Sequence, residues 1–327
     1  MNPHRRSLAL AGLAMGMAHP LRAFAQPANA YPKGPVKIIV PQSPGGIVDV
    51  AGRLIADQLT QQFKQSFFVE NRPGANSTLG TAVLSNASPD GQTILFGTSS
   101  IEFMNPYLYK NLPFETADLQ KISVVYDSSI ALVVPKKLGV KNFKELVAYA
   151  KTKGDGMTFG SWGNGSSAHV FGVILENAFG IKLVHVPYKG ELAALVDMSR
   201  GDLDMTWASP NGARTFQEKG DAVVIAVTGA ARSPGLPGVP TFAEQGVDAF
   251  KLGLYGVAYA PKGTPPAIVA RLQQGISQML TLPSVRERFA TLGLIPVGST
   301  PAAFAALFDR ERPVWQKLIA ASGATLD

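Results

Sequence analysis

The chain has 327 residues, of which 46% are apolar and 16% charged. That excludes a disordered polypeptide and gives enough length for two cores rather than one. Thirty Lys and Arg against 23 Asp and Glu leave a net charge of +7, spread without the basic run that nucleic-acid binding needs, and the absence of cysteine removes disulfides, thiolate catalysis and thiolate metal sites.

The first residues read as an export signal. Arg5 and Arg6 form a positive start, Leu8 to Ala18 is an apolar run too short to cross a membrane, and Ala23-Phe24-Ala25 is an A-x-A site. Residues 1–25 are therefore expected to be a signal peptide cleaved after Ala25. The arginine pair hints at twin-arginine export, but a Sec signal often carries two arginines as well. Removing Arg5, Arg6 and Arg22 takes Lys plus Arg from 30 to 27 against 23 acids, so the mature net charge is +4. No later stretch has the length of a membrane helix, so an exported, soluble protein is expected.

Along the mature chain, Val36 to Val40 is a β-branched strand, followed by the loop Pro41-Gln-Ser-Pro-Gly-Gly46 and a helix with Val48, Ala51, Ile55, Leu59 and Phe63 on one face. Phe67 to Val69 is a strand, Thr78 to Leu84 a short helix, and Thr93 to Phe96 a strand leading into Thr98-Ser-Ser100. Ile130 to Val134 is a strand and Phe143 to Thr152 a helix. Met157 begins a strand that runs into the small-residue loop Gly160 to Ser167, then into a helix with Val170, Ile174 and Ala178 along its apolar face and Gly180 at its end. Leu183 to Pro187 is a strand and Glu191 to Ser199 a helix. Strands at Leu203–Ala208, Val223–Val227 and Gly256–Ala260 follow, and then helices at Ala267–Thr281, Ser284–Leu292 and Pro301–Ser322. Strands alternating with helices imply βαβ units and parallel sheets. The pattern is two α/β sections, the second inserted into the first, with crossovers near Ser128–Ala131 and Leu252–Gly256.

Ligands on open parallel sheets sit off the carboxyl ends of the strands. Three loops stand there: Pro44-Gly45-Gly46, Thr98-Ser99-Ser100, and Gly163-Asn164-Gly165-Ser166-Ser167. Two of them open long helices. A helix start leaves unpaired N–H groups and about half a positive charge, which suits a carboxylate or phosphate. The competing reading of the 163–167 loop is an ordinary strand-to-helix turn with a good Ser166 or Ser167 cap. Asp49, in the first helical turn, either offsets the dipole or is a site residue that reads a ligand donor or orders the loop.

Five motifs occur in one order: Pro44-Gly-Gly-Ile-Val-Asp49, Glu70-Asn-Arg-Pro-Gly-Ala75, Gly163-Asn-Gly-Ser-Ser-Ala-His169, His185-Val-Pro-Tyr-Lys-Gly190, and Tyr255-Gly256 with Ala260-Pro-Lys-Gly-Thr-Pro265. Across essentially the whole mature chain this resembles the Bug-type periplasmic receptors of tripartite tricarboxylate transporters. The resemblance implies a periplasmic-binding-protein type II (Venus flytrap) fold: α/β, with two domains, a cleft and two crossover segments. The domains would be 26–129 with 254–327, and 130–253. It also implies a monomer in the periplasm that binds a small carboxylate, uses no cofactor and partners transporter membrane subunits. The ligand would lie between the Pro44–Gly46 and Gly163–Ser167 loops, with Tyr188, Lys189 and Gly190 bordering the cleft. A role as carboxylate sensor for a two-component system is the alternative.

Four positions depart from the family pattern. Ile47 follows the paired glycines, Asn76-Ser-Thr78 stands where a glycine-rich loop is usual, Trp162 replaces a small residue, and Glu191 follows Gly190. Trp162 either lines the cleft and stacks on a flat acid or packs as a lid. Glu191 either meets a second ligand group or serves as a first-turn helix acid.

Two enzyme readings compete with the receptor reading. Gly163-x-Gly-x-x-Ala168 matches a relaxed dinucleotide fingerprint, but the next strand ends in Val186-Pro-Tyr-Lys189 without the acid that reading needs. An exported hydrolase would have to rely on His169, three residues into its helix. No G-x-S-x-G elbow occurs, and His185 alternates within a strand as a structural residue would. Two histidines without cysteine or H-x-x-x-H spacing make no usual zinc site.

Overall fold

The structure, a computed structural model, describes residues 31–326; the expected signal peptide lies outside them. The chain first lays down β1 (Val36–Val40), α1 (Ile47–Phe63), β2 (Phe67–Asn71), α2 (Thr78–Ser85) and β3 (Thr93–Thr98). It continues through the short helices α3 (Ser100–Phe103) and α4 (Asn105–Leu108) into the long strand β4 (Leu119–Ser128). Then come β5 (Ala131–Pro135), α5 (Phe143–Thr152), β6 (Met157–Ser161), α6 (Ser167–Phe179), β7 (Leu183–Pro187), α7 (Glu191–Arg200), β8 (Met205–Ala208), α8 (Pro210–Glu218) and β9 (Ala222–Val227). The chain ends with β10 (Leu254–Pro261), α9 (Pro266–Met279), α10 (Pro283–Leu292), β11 (Leu294–Pro296) and α11 (Pro301–Ser322).

Two sheets result, in the orders β11-β4-β10-β3-β1-β2 and β7-β6-β8-β5-β9. β4 ends in the first sheet at Ser128 and β5 opens the second at Ala131; the return runs from Val227 to Leu254. Both sheets are mixed rather than parallel. β1 runs parallel to β2 and β3, and β6 parallel to β7 and β8. The strands nearest the crossovers reverse: β10 is antiparallel to β3 and β4, and β5 to β8 and β9. A strand entering a sheet from the other one needs no helical return, so nothing forces it parallel. The carboxyl ends of β1 and β3 in one sheet, and of β6 and β8 in the other, remain the places where loops lead into helices.

The elements form where local chemistry directs. α6 starts at Ser166, whose side chain accepts the His169 N–H, and stops at Gly180 in the left-handed conformation. Ser209 caps α8 in the same way, with Pro210 in its first turn. One apolar cluster reaches into both sheets, taking in Leu95 and Val257 from the first, Leu132 and Trp207 from the second, and Phe304, Phe308 and Trp315 from α11. None of the described helices is long and apolar enough to cross a membrane.

Candidate functional site

Asp49 organises the first loop. It is 3% exposed. One oxygen accepts the Gly45 N–H at 2.9 Å and Arg53 Nε at 3.0 Å, and the other accepts Asn71 Nδ2 at 2.9 Å. Burial alone would raise its carboxyl, but the bonds from Arg53, Gly45 and Asn71 outweigh that and hold it below the usual carboxylate range. Of the two readings of Asp49, the structure favours the loop-ordering one. Pro44, Gly45 and Gly46 are exposed. With the Gly45 amide engaged, the donors left in the first turn of α1 are the N–H groups of Ile47, Val48 and Asp49, which have no acceptor among the described residues.

The second loop is braced from within. Gly163 N–H donates to Ser161 Oγ, Ser166 Oγ donates to the Gly163 carbonyl, and Gly165 N–H donates to His169 Nδ1 at 3.1 Å. The His169 ring lies on His185, 4.0 Å between centroids and 8° from parallel, and His185 Nε2 meets Ser161 Oγ at 2.6 Å. Burial pushes His169 down, and burial together with His169 pushes His185 down to about 4, so both rings are neutral at neutral pH. Ser161 and His185 have the spacing of a nucleophile and its base. Ser161 is fully buried, however, and its hydroxyl belongs to the loop. The amides of Asn164, Ser167 and Ala168 have no acceptor among the described residues. The last two lie in the first turn of a 13-residue helix, a position that favours anions.

Other residues expected at the site are placed differently. Ser99 is buried and pairs with the Tyr255 backbone, and Thr98 and Ser100 join their hydroxyls at 2.7 Å. Tyr188 gives its hydroxyl to Asp197 and approaches the second loop through its backbone N–H, which donates to the Ser161 carbonyl. Burial first, then Asp197, pushes that phenol up to about 12. Lys189 is exposed and Gly190 precedes α7 with φ +139°. Glu191 accepts a bond from Ser209 Oγ at 2.7 Å. It therefore braces the junction of α7 and α8. Trp162 is half-buried, with its indole N–H donating to the Trp207 carbonyl at the end of β8, which leaves only the ring face for contact.

The two loops are connected. Asn76 Nδ2 donates to the Gly165 carbonyl at 3.0 Å, and Gln42 Nε2 to Ser77 Oγ at 3.1 Å. The Gln42 carbonyl in turn accepts from Asn71, the residue that also holds Asp49. Gln42 Oε1 is buried without a partner among the described residues. Gln42, Asn76, Ser161, His185 and Ser209 were not expected here. The sequence signals for them are that Asn76 stands where the family carries glycine and that Gln42, Ser161 and His185 fall in the 41–46 loop, the 160–167 loop and the 185–190 motif. No group of three or more His, Cys, Asp or Glu among the described residues is placed to hold a metal.

A family model described as the tripartite tricarboxylate transporter family receptor matches residues 51–324. The chain belongs to this receptor family. Protein BugT of Bordetella pertussis is 31% identical over 326 residues, 98% of each chain. The solved periplasmic binding protein BugD is 30% identical with a TM-score of 0.81, covering 90% of this chain and 99% of its own. R. palustris Rpa4515, solved with adipate, is 29% identical with a TM-score of 0.83, covering 90% of this chain and all of its own. The protein is thus a Bug-type solute receptor with the Venus flytrap fold of periplasmic binding proteins.

Proposed function

We infer that this receptor binds a small organic carboxylate in a cleft between two domains, 26–129 with 254–327 and 130–253. The ligand would lie between the starts of α1 and α6 and be passed to membrane subunits of a tripartite tricarboxylate transporter. The observation that carries the reading is the pair of long-helix starts. Each retains unpaired amides, and they are joined through Asn76 and Gly165. Adipate in a relative of similar length supports the same ligand class. Pro44, Gly45 and Gly46 shape one wall; Gly163, Asn164, Gly165, Ser166 and Ser167 shape the other. His169 presents Nε2, Thr98 and Ser100 lie behind the first wall, Trp162 offers its ring face, and Tyr188 to Gly190 border the rim. Charge-assisted amide bonds contribute about 1.5–3 kcal/mol each, so three or four supply about 5–12 kcal/mol, the largest polar share of the binding energy expected here.

A thermal-shift screen of the exported protein tests this with adipate, malate, citrate, benzoate and amino acids, and with sugars as controls. At least one acid should raise Tm, since a ligand that binds the native state stabilises it. Calorimetry should give a one-to-one complex, and the acid should be recovered unchanged. Stabilisation by a sugar or a metal and by none of the acids would reject the reading.

A further inference from the structure

The segment between β2 and α2 is the most unusual backbone among the described residues. Ala75, Asn76 and Ser77 follow one another with φ of +44°, +48° and +76°, three consecutive non-glycine residues in the left-handed region that glycine normally occupies. Such a run persists only where its surroundings hold it. Asn76 is held on every side. One amide hydrogen of Asn76 Nδ2 goes to Asn105 Oδ1 at 2.7 Å, and Asn105 Nδ2 returns to the Asn76 carbonyl at 2.9 Å. Asn105 is fully buried at the start of α4. The other Asn76 amide hydrogen crosses to the Gly165 carbonyl in the loop after β6, which belongs to the other sheet. Next to it, Ser77 accepts from Gln42 through its hydroxyl and from Thr81 through its carbonyl. Asparagine is the side chain that combines tolerance of this backbone with two donors on one nitrogen.

We propose that Asn76 is a positioning residue for ligand binding, a clamp that joins the two ligand loops. By holding the Gly165 carbonyl it sets the distance between the amides at the start of α6 and those at the start of α1. A ligand gripping both sets and the Asn76–Gly165 bond therefore stabilise one another. This rests on the reading that the acid lies between these loops.

Asn76→Gly separates the clamp from the fold, because glycine adopts φ +48° without strain and carries no donor. With adipate, or the acid giving the largest shift in the screen, its affinity should fall about tenfold through faster dissociation in stopped-flow traces. Relief of the φ +48° strain offsets the donor lost to buried Asn105 Oδ1, so its ligand-free Tm should change little. Asn76→Asp keeps the backbone preference but turns a carboxylate toward the Gly165 carbonyl and Asn105 Oδ1, so its affinity should fall further. Wild-type affinity in Asn76→Gly would overturn the proposal. So would a parallel loss of ligand-free Tm, which would mark ordinary packing. Failure of the wild-type protein to bind any acid is a different result and rejects the ligand reading itself.

Discussion

At the scale of single residues, the site is arranged by side chains that touch the loops rather than the ligand. Asp49 is the clearest case, because one buried carboxylate holds Gly45, Arg53 and Asn71 together. Asp49→Asn keeps the volume but loses the charge that Arg53 meets at 3.0 Å. It should destabilise the protein by about 1–3 kcal/mol at pH 7, the typical cost of unpairing a buried charge-assisted bond, and should weaken acid binding by freeing the loop. The sign of its pH dependence follows from the lowered carboxyl. The stabilisation is fully present above the unfolded value of 3.8 and is lost as pH falls through the lower folded value. The Tm gap between wild type and Asp49→Asn should therefore close in acid below pH 4, and a gap unchanged down to pH 2 would refute this account. Much of this was legible in the sequence. A glycine loop before a helix and a first-turn acid announce an ordered loop. What was not legible is which amides stay available. Gly45, Gly163 and Gly165 look like the donors, yet their N–H groups are taken by Asp49, Ser161 and His169. Those partners are set by side-chain rotamers that spacing does not specify.

At the scale of elements, strands and helices with a clean apolar period were readable to within a few residues, and those whose polar residues have distant partners were not. β4, ten residues long, carries Gln120, Lys121 and Ser123. Lys121 becomes acceptable inside only because it meets the buried Glu102 at 2.8 Å, and Ser123 only because it bonds the Ser299 carbonyl. α8 was missed because Asn211 and Gly212 sit in its first turns. A Cβ at Gly212 would lie 2.0 Å from Glu191 Oε1, so a larger residue there would displace the carboxylate that Ser209 holds. The same buried β4 ends in a carboxylate that the fold tolerates poorly. Asp127 faces Tyr255 across the ladder, and Tyr255 donates to Glu311 of α11 at 2.7 Å. Burial raises Asp127, Glu311 adds to that, and a Ser128 backbone bond only partly opposes it, leaving the carboxyl at about 6. An acid raised in the folded state favours folding below its unfolded pKa and loses that contribution as pH rises through the folded value. Asp127→Asn should therefore raise Tm at pH 7–8, by roughly 1–3 kcal/mol of stability, with the gain vanishing near pH 4. An equal gain at both pH values would mean that packing, and not charge, is responsible.

At the scale of the whole molecule, the two sheets are not independent folding units, although the chain crosses between them only at Ser128–Ala131 and 228–253. α11 belongs by sequence to the first section, but it packs against α6 of the second as well as against β4 and α3. Trp315, fully buried, stacks on Phe103 at 5.8 Å and on Phe171 at 5.7 Å, so one indole is shared between α3 and α6. Asn177 Nδ2 reaches the Ala321 carbonyl, and Leu326 N–H donates to the Leu108 carbonyl. Because burial of these rings is common to both sheets, loss of either exposes the aromatic surface of the other, and unfolding should be a single event. Differential scanning calorimetry should show one endotherm with calorimetric and van't Hoff enthalpies in agreement. Trp315→Ala should move that endotherm down as a whole, by the roughly 3–5 kcal/mol that a buried tryptophan cavity costs. Two endotherms in the wild type, or a shift confined to one of two in the variant, would show that α11 serves only its own sheet.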